Sequence, residues 1–165
     1  MKESDESAEC MAAAEDRGVK VIIITSQTDI QLGSTKLVIH PADKVYENDA
    51  SNNSSLVTEV FHGNNSLLFT GDIEKERIAD IKYELNDAGY DFLKVPHHGK
   101  YETMLQELFN WVGAQSAVIT SSEKNPEEQE TIQALEDAGV KDILLTRGGE
   151  ITLQSDGRKL DFTQK

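Results

Sequence analysis

Short apolar runs recur along this chain between polar, glycine- or proline-bearing segments, and their spacing alternates between strand and helix periods. SDESAECMAAAEDRG (residues 4–18) predicts a helix, with Ser4 as cap, acidic residues in the first turn and Gly18 at the end. The β-branched run VKVIIIT (19–25) predicts a buried strand. DIQL and KLVIH predict two shorter strands turning at Gly33-Ser34, and SLVTEVFH and SLLFT a hairpin turning at Gly63-Asn64-Asn65.

The period then becomes helical over residues 74–87, with Ile78, Ile81 and Leu85 on one stripe. DFLKV returns to strand, and YETMLQELFNWV is helical through Leu105, Leu108 and Val112. SAVIT predicts a strand, Asn125-Pro126 a helix start and Gly139 its end. DILLT, EITLQ and KLDF finish the chain, the last two turning at Asp156-Gly157. Hairpins early and late, with strand–helix alternation between them, predict a layered α/β fold around a mixed sheet. Gly148-Gly149 precedes a strand rather than following one, so it marks a turn and not a phosphate loop. The polar stretch ENDASNNSS (47–55) is the best loop candidate, too short to separate two domains.

Length and charge narrow this picture. The 165 residues suit a single domain over 1–165 with a real core. A net charge of −14 argues against nucleic acid as a partner of this chain alone, because a broad basic surface is what grips phosphates. Bound cations could still reverse the sign inside an acidic pocket. No apolar run approaches a membrane span, and the acidic N-terminus lacks a signal peptide's order of basic then apolar residues. The single cysteine, Cys10, cannot form an intramolecular disulfide, which is compatible with a cytoplasmic setting.

Two short stretches carry candidate chemistry. In FLKVPHHGK, Pro96 ends the strand and Gly99 permits an unusual backbone, so His97 and His98 fall in a turn where adjacent side chains can serve one site. In LLFTGDIEKERI, Asp72 follows an apolar strand and precedes a helix, where it could cap that helix or serve a site. A strand–helix–strand crossover sets both segments at the same ends of parallel strands, so Asp72 could approach the histidines. A carboxylate and two imidazoles suit zinc, manganese or iron, whereas an isolated histidine pair could equally cap a surface loop. His40 and His62 occupy ordinary turn positions, Cys10 has no neighbouring ligand, and Trp111 reads as core. Ser54, Ser55, Ser121 and Ser122 lack a nucleophile-elbow pattern, and no residue is singled out as catalytic.

The order Asn52-x-x-Ser55-Leu-Val, LLFTGD, LKVPHHG, AVIT, NP…ALEDAG and LLTRGGEI resembles the C-terminal half of metallo-β-lactamase-fold hydrolases. Within them it looks most like the β-lactamase-like domain of the bacterial DNA-uptake competence protein and its free-standing relatives. The resemblance implies the C-terminal portion of a four-layer αββα sandwich, with Asp72 bridging two metal ions and His97, His98 or both as further ligands. It also implies that Asn52 and Ser55 lie near the site. Lys100 stands where the family commonly has serine, and its cation could bind an anionic substrate. The family's His-x-His-x-Asp-His cluster is absent, as is the Gly-His-Pro that often follows the later asparagine.

The resemblance therefore implies a portion of a metal-dependent hydrolase, with two zinc, manganese or iron ions in the full-length parent and phosphodiester-type substrates. An extracytoplasmic parent is also compatible with it. This chain alone is expected to bind metal partially or not at all and to hydrolyse little. Its partner would be the missing N-terminal half or a second copy, because half a sandwich presents an apolar face to water and favours a homo-oligomer. The competing reading is a non-catalytic interaction or oligomerisation module that keeps the half-fold.

Overall fold

In the computed structural model, which describes residues 5–48, 50–85 and 89–165, the strands of the main sheet lie side by side in chain order. Strands β1 (Thr28–Leu32), β2 (Thr35–His40), β3 (Val57–His62) and β4 (Asn65–Phe69) form an antiparallel meander. Strands β5 (Phe92–Lys94), β6 (Ser116–Ile119) and β7 (Asp142–Leu145) then add in parallel. Helices α3 (Lys75–Ile81), α4 (Leu105–Val112) and α5 (Gln129–Asp137) make the crossovers. A separate hairpin of β8 (Ile151–Ser155) and β9 (Leu160–Gln164) closes the chain. Helix α1 (Asp5–Asp16) opens it, and the four-residue α2 (Ala50–Asn53) lies between β2 and β3. The fold is the mixed α/β arrangement that the pattern predicts.

Strand alternation distributes the core. Leu68, Leu93, Ala117 and Ile119 face the crossover helices and pack with Ile78, Ile81, Leu105, Leu108, Phe109 and Leu135. Their neighbours Leu67, Phe92 and Val118 face the other way and meet Leu153, Leu160 and Phe162 of the hairpin. Phe92 links the two layers, its ring centroid 5.4 Å from Phe69 and 6.2 Å from Phe162. Burial on both faces explains why these strands read as continuous apolar runs.

Several expectations change. Residues 19–25 form no strand, and Val19, Ile22 and Ile23 are 57%, 62% and 71% exposed. β1 is the edge of the sheet and, among the described strands, pairs only with β2; residues 19–25 make no ladder with its free side, and propensity without pairing makes no strand. The bare apolar sheet face expected of a half-sandwich is covered along β4, β5 and β6 by the terminal hairpin. The helix expected over 74–87 is regular only to Ile81, and residues 86–88 lie outside those described, as does the proposed cap Ser4. Helix α5 begins at Gln129, because Asn125 and Pro126 are taken into a loop that follows β6.

A buried polar network ties α3 to the meander. Arg77, fully buried, forms two contacts with the Glu84 carboxylate, one of them 3.0 Å from Nη2, and donates from Nη2 to the Pro41 carbonyl at 2.9 Å. His40 Nε2 lies 2.8 Å from Glu59 Oε1, and Tyr90 donates its hydroxyl to Glu59 Oε2 at 2.5 Å. These partners keep buried charge from going uncompensated.

Phe92→Ala is expected to cost about 3–5 kcal/mol in urea unfolding, as for other buried aromatic truncations, and to speed amide exchange in β8 and β9. A cost under about 1 kcal/mol would mean that the hairpin does not rest on this ring. Glu84→Gln, which weakens a charge-assisted bond to a buried guanidinium, is expected to cost about 2 kcal/mol by the same measurement.

Candidate metal centre

Parallel pairing sets the carboxyl ends of three strands level: Phe69 is opposite Lys94, and Lys94 opposite Val118. The segments that follow them, 70–74, 95–102 and 120–128, therefore share one rim of the sheet. Thr70 Oγ1 donates to the Lys94 carbonyl at 2.7 Å, and the Gly71 carbonyl accepts from Lys94 Nζ at 2.9 Å and from the His97 amide at 3.3 Å. Gly71 and Gly99 adopt φ of +62° and +77°. A Cβ on Gly71 would lie 2.7 Å from Ser55 Cβ, and one on Gly99 would lie 2.6 Å from Ile119 Cγ2. The glycines of TGD and HHG are thus required by backbone conformation and by close packing.

His97 and His98 both adopt the left-handed conformation, with φ of 44° and 56°. Non-glycine residues rarely do so, and a pair in succession sends the two rings toward different carboxylates. His98 Nε2 lies 3.4 Å from Asp72 Oδ2, whereas His97 Nδ1 lies 2.9 Å from Glu74 Oε1. The rim thus gathers Asp72, His97 and His98, and it adds a residue that motif reading passed over.

The chemistry of the Asp72–His98 pair follows from its second nitrogen. His98 Nδ1 is 2.7 Å from the Thr120 carbonyl and 3.0 Å from Thr120 Oγ1. A carbonyl only accepts, so Nδ1 carries a ring proton, and in the neutral imidazole Nε2 then turns a lone pair toward Asp72. In that state two acceptors face one another, and either a proton or a metal ion between them satisfies both. The 3.4 Å gap is close to the roughly 3.3 Å between two ligands of a tetrahedral zinc with bonds of about 2.0–2.1 Å. This donor set therefore fits one side of a metal ion.

A bridging role for Asp72 fits less well. Its Oδ1 lies 3.3 Å from Lys94 Nζ, so an ammonium is already on the second oxygen. Burial pulls the Lys94 pKa below its ordinary value, and the Asp72 carboxylate works against that shift. Asp72 is not the cap of α3. Asn53 Oδ1 accepts from the amides of Glu74 and Arg77 at 2.9 and 3.3 Å, which leaves the Asp72 carboxylate to the rim.

Asn52 and Ser55 support the ligand segments. Asn52 donates to Glu74 Oε1 at 2.7 Å and its amide nitrogen lies 3.5 Å from His97 Nε2, while Ser55 Oγ accepts from the Asp72 amide at 3.2 Å. Lys100 lines an open groove of about 670 Å³ with both histidines, Thr120, Lys124 and Asn125. Glu74 and Glu102 complete the titratable groups around His97, their ligand atoms within 4.8 Å of one another. Glu74 lies within LLFTGDIEKERI and Glu102 two residues beyond FLKVPHHGK, in a stretch read as helix, where a lone glutamate is indistinguishable from solvated helix-start charge.

No family model matches the chain. It is 26% identical over 157 residues to ComE operon protein 3 of Bacillus subtilis, covering 93% of this chain and 20% of that protein. It is 35% identical over 81 residues to the uncharacterized protein YcaI of Escherichia coli, covering 47% of this chain and 10% of that one. The chain thus spans a fifth or less of the curated relatives it matches. Among solved structures, it is similar to Igni18, a metallo hydrolase of the archaeon Ignicoccus hospitalis, with a TM-score of 0.57 and 13% identity over 95% of this chain and 66% of that one. It is also similar to the metallo-β-lactamase fold protein YhfI of Bacillus subtilis, with a TM-score of 0.55 and 8% identity over 86% and 59% of the two chains. The mixed sheet, its crossover helices and these structural neighbours together identify the chain's architecture as the metallo-β-lactamase fold.

Proposed function

We propose that this chain supplies part of the metal-binding rim of a metal-dependent hydrolase. The observation that carries the reading is the His98 ring, oriented by Thr120 so that its free nitrogen faces Asp72. Asp72 Oδ2 and His98 Nε2 would hold a divalent zinc, manganese or iron ion. A bound ion of this kind lowers the pKa of a coordinated water and stabilises developing negative charge. The Thr120 carbonyl holds His98 in the ligating tautomer, and Lys94 and Ser55 steady the Asp72 segment.

The groove beside His98 supports an anionic substrate. Lys100 and Lys124 bring two cations to its lining against the single carboxylate of Glu128, in a chain of net charge −14, and Thr120, Ser121, Ser122 and Asn125 add hydrogen-bonding groups. Phosphodiesters fit this lining and the resemblance to the competence protein. With Asp72 and His98 as the facing donors, we expect weak metal binding at this pair and little hydrolysis by the chain on its own.

A second reading, an association module, is favoured by the exposure of Val19, Val21, Ile22 and Ile23 in the segment before the edge strand and of Leu32 on that strand. Exposed apolar residues in such number favour association, either with a further part of the same fold or with a second copy. The two readings are compatible, since the edge and the rim use different residues.

Calorimetric titration with Zn²⁺ is expected to show saturable binding that Asp72→Asn weakens by at least about tenfold, the loss common even for groups that only orient a ligand. Binding indifferent to this substitution would remove the hydrolase reading. In sedimentation velocity at micromolar concentration the chain is expected to self-associate, and Ile22→Lys together with Ile23→Lys is expected to return it to monomer. A strictly monomeric wild type would count against the second copy.

A further inference from the structure

We infer that Glu74, His97 and Glu102 form a cation site of their own, next to the Asp72–His98 pair and suited to a divalent transition metal such as Mn²⁺ or Zn²⁺. The inference does not depend on the hydrolase reading.

Three observations carry it. First, one ligand atom from each residue lies within 4.8 Å of the others. Donors of one ion at bonds of about 2.1–2.4 Å can stand no more than about 4.2–4.8 Å apart, so the three atoms already fall close to the span of a common ion. Second, the Glu74 side chain is 8% exposed, and among the described residues no lysine or arginine pairs with it. Its contacts are the Asn52 amide at 2.7 Å and the His97 ring. A buried carboxylate with so little positive charge beside it is costly unless a cation joins it.

Third, His97 Nδ1 is buried without a hydrogen-bond partner among the described residues, although Glu74 Oε1 is only 2.9 Å away. The nitrogen is beside the oxygen but off the line that a shared proton requires. Such a close, misaligned approach is a poor hydrogen bond and a reasonable arrangement for two ligands of one ion.

The choice of metal follows from the donors. An imidazole with two carboxylates suits Mn²⁺, Fe²⁺ or Zn²⁺ better than Ca²⁺, which takes oxygen ligands in larger number. The left-handed turn then acquires a purpose. It delivers consecutive histidines to neighbouring carboxylate groups, one to Asp72 and the other to Glu74.

The test is Mn²⁺ and Zn²⁺ titration of the wild type, Glu102→Gln and Asp72→Asn by calorimetry, with melting temperatures of the metal-free proteins as the folding control. The expected stoichiometry is two ions for the wild type and one for each variant. Loss of all binding in Glu102→Gln with none in Asp72→Asn would support this site and remove the Asp72 reading. Wild-type binding of one ion, lost in Asp72→Asn and untouched by Glu102→Gln, would overturn the inference. A measurement that needs no Glu102 variant is paramagnetic broadening in Asp72→Asn: substoichiometric Mn²⁺ should broaden the amide signals of His97 and Glu102 selectively. Failure to broaden them would also overturn it.

Discussion

The rim exists because β4, β5 and β6 pair in parallel and in step. Leu67, Phe92 and Ser116 stand opposite one another, so the strands end at the same level and the segments beyond them cannot avoid meeting. Parallel strands require crossovers, and the helices that supply them bury one face of the sheet while the terminal hairpin covers the other. The site is a consequence of this registration. Thr70, Gly71, Lys94 and His97 are stitched together by hydrogen bonds between segments that are distant in the chain.

On that base the chemistry is set by what each imidazole cannot do. His98 gives its Nδ1 proton to a carbonyl and so offers a lone pair to Asp72. His97 approaches Glu74 closely but cannot align a proton with it. With neutral imidazoles the first arrangement leaves two acceptors facing one another and the second a buried carboxylate with no aligned proton, in a protein that is itself strongly acidic, and cations are a natural remedy. Lys94 is already one such cation, placed on the second oxygen of Asp72. The groove beside His98 has the complementary character, since Lys100 and Lys124 form part of its lining.

Histidines and charged residues away from the rim have structural work. His40 is locked to Glu59 in the interior, and His62 bonds to Ser155 and Ser34, joining the meander to the terminal hairpin. Arg77 holds Glu84 and the Pro41 carbonyl. The turn positions of His40 and His62 were enough to separate them from the pair at the rim. Nothing local to Arg77 announces that a helix residue of its kind will be fully buried.

The spacing of apolar residues along the chain determined the mixed α/β class, the three strand–turn–strand pairs and the order of the paired strands and crossover helices, because these follow from local period and turn chemistry. The TGD and HHG stretches, each just past an apolar strand, likewise marked Asp72, His97 and His98 for one rim. Tertiary structure decided the rest. It left VKVIIIT unpaired and outside the sheet, and it assigned each histidine its own carboxylate through left-handed backbone angles. It also brought Glu74 and Glu102 beside His97 across separate loops. Propensity and motif act over a few residues, whereas strand pairing, burial and the meeting of distant side chains depend on the whole sheet.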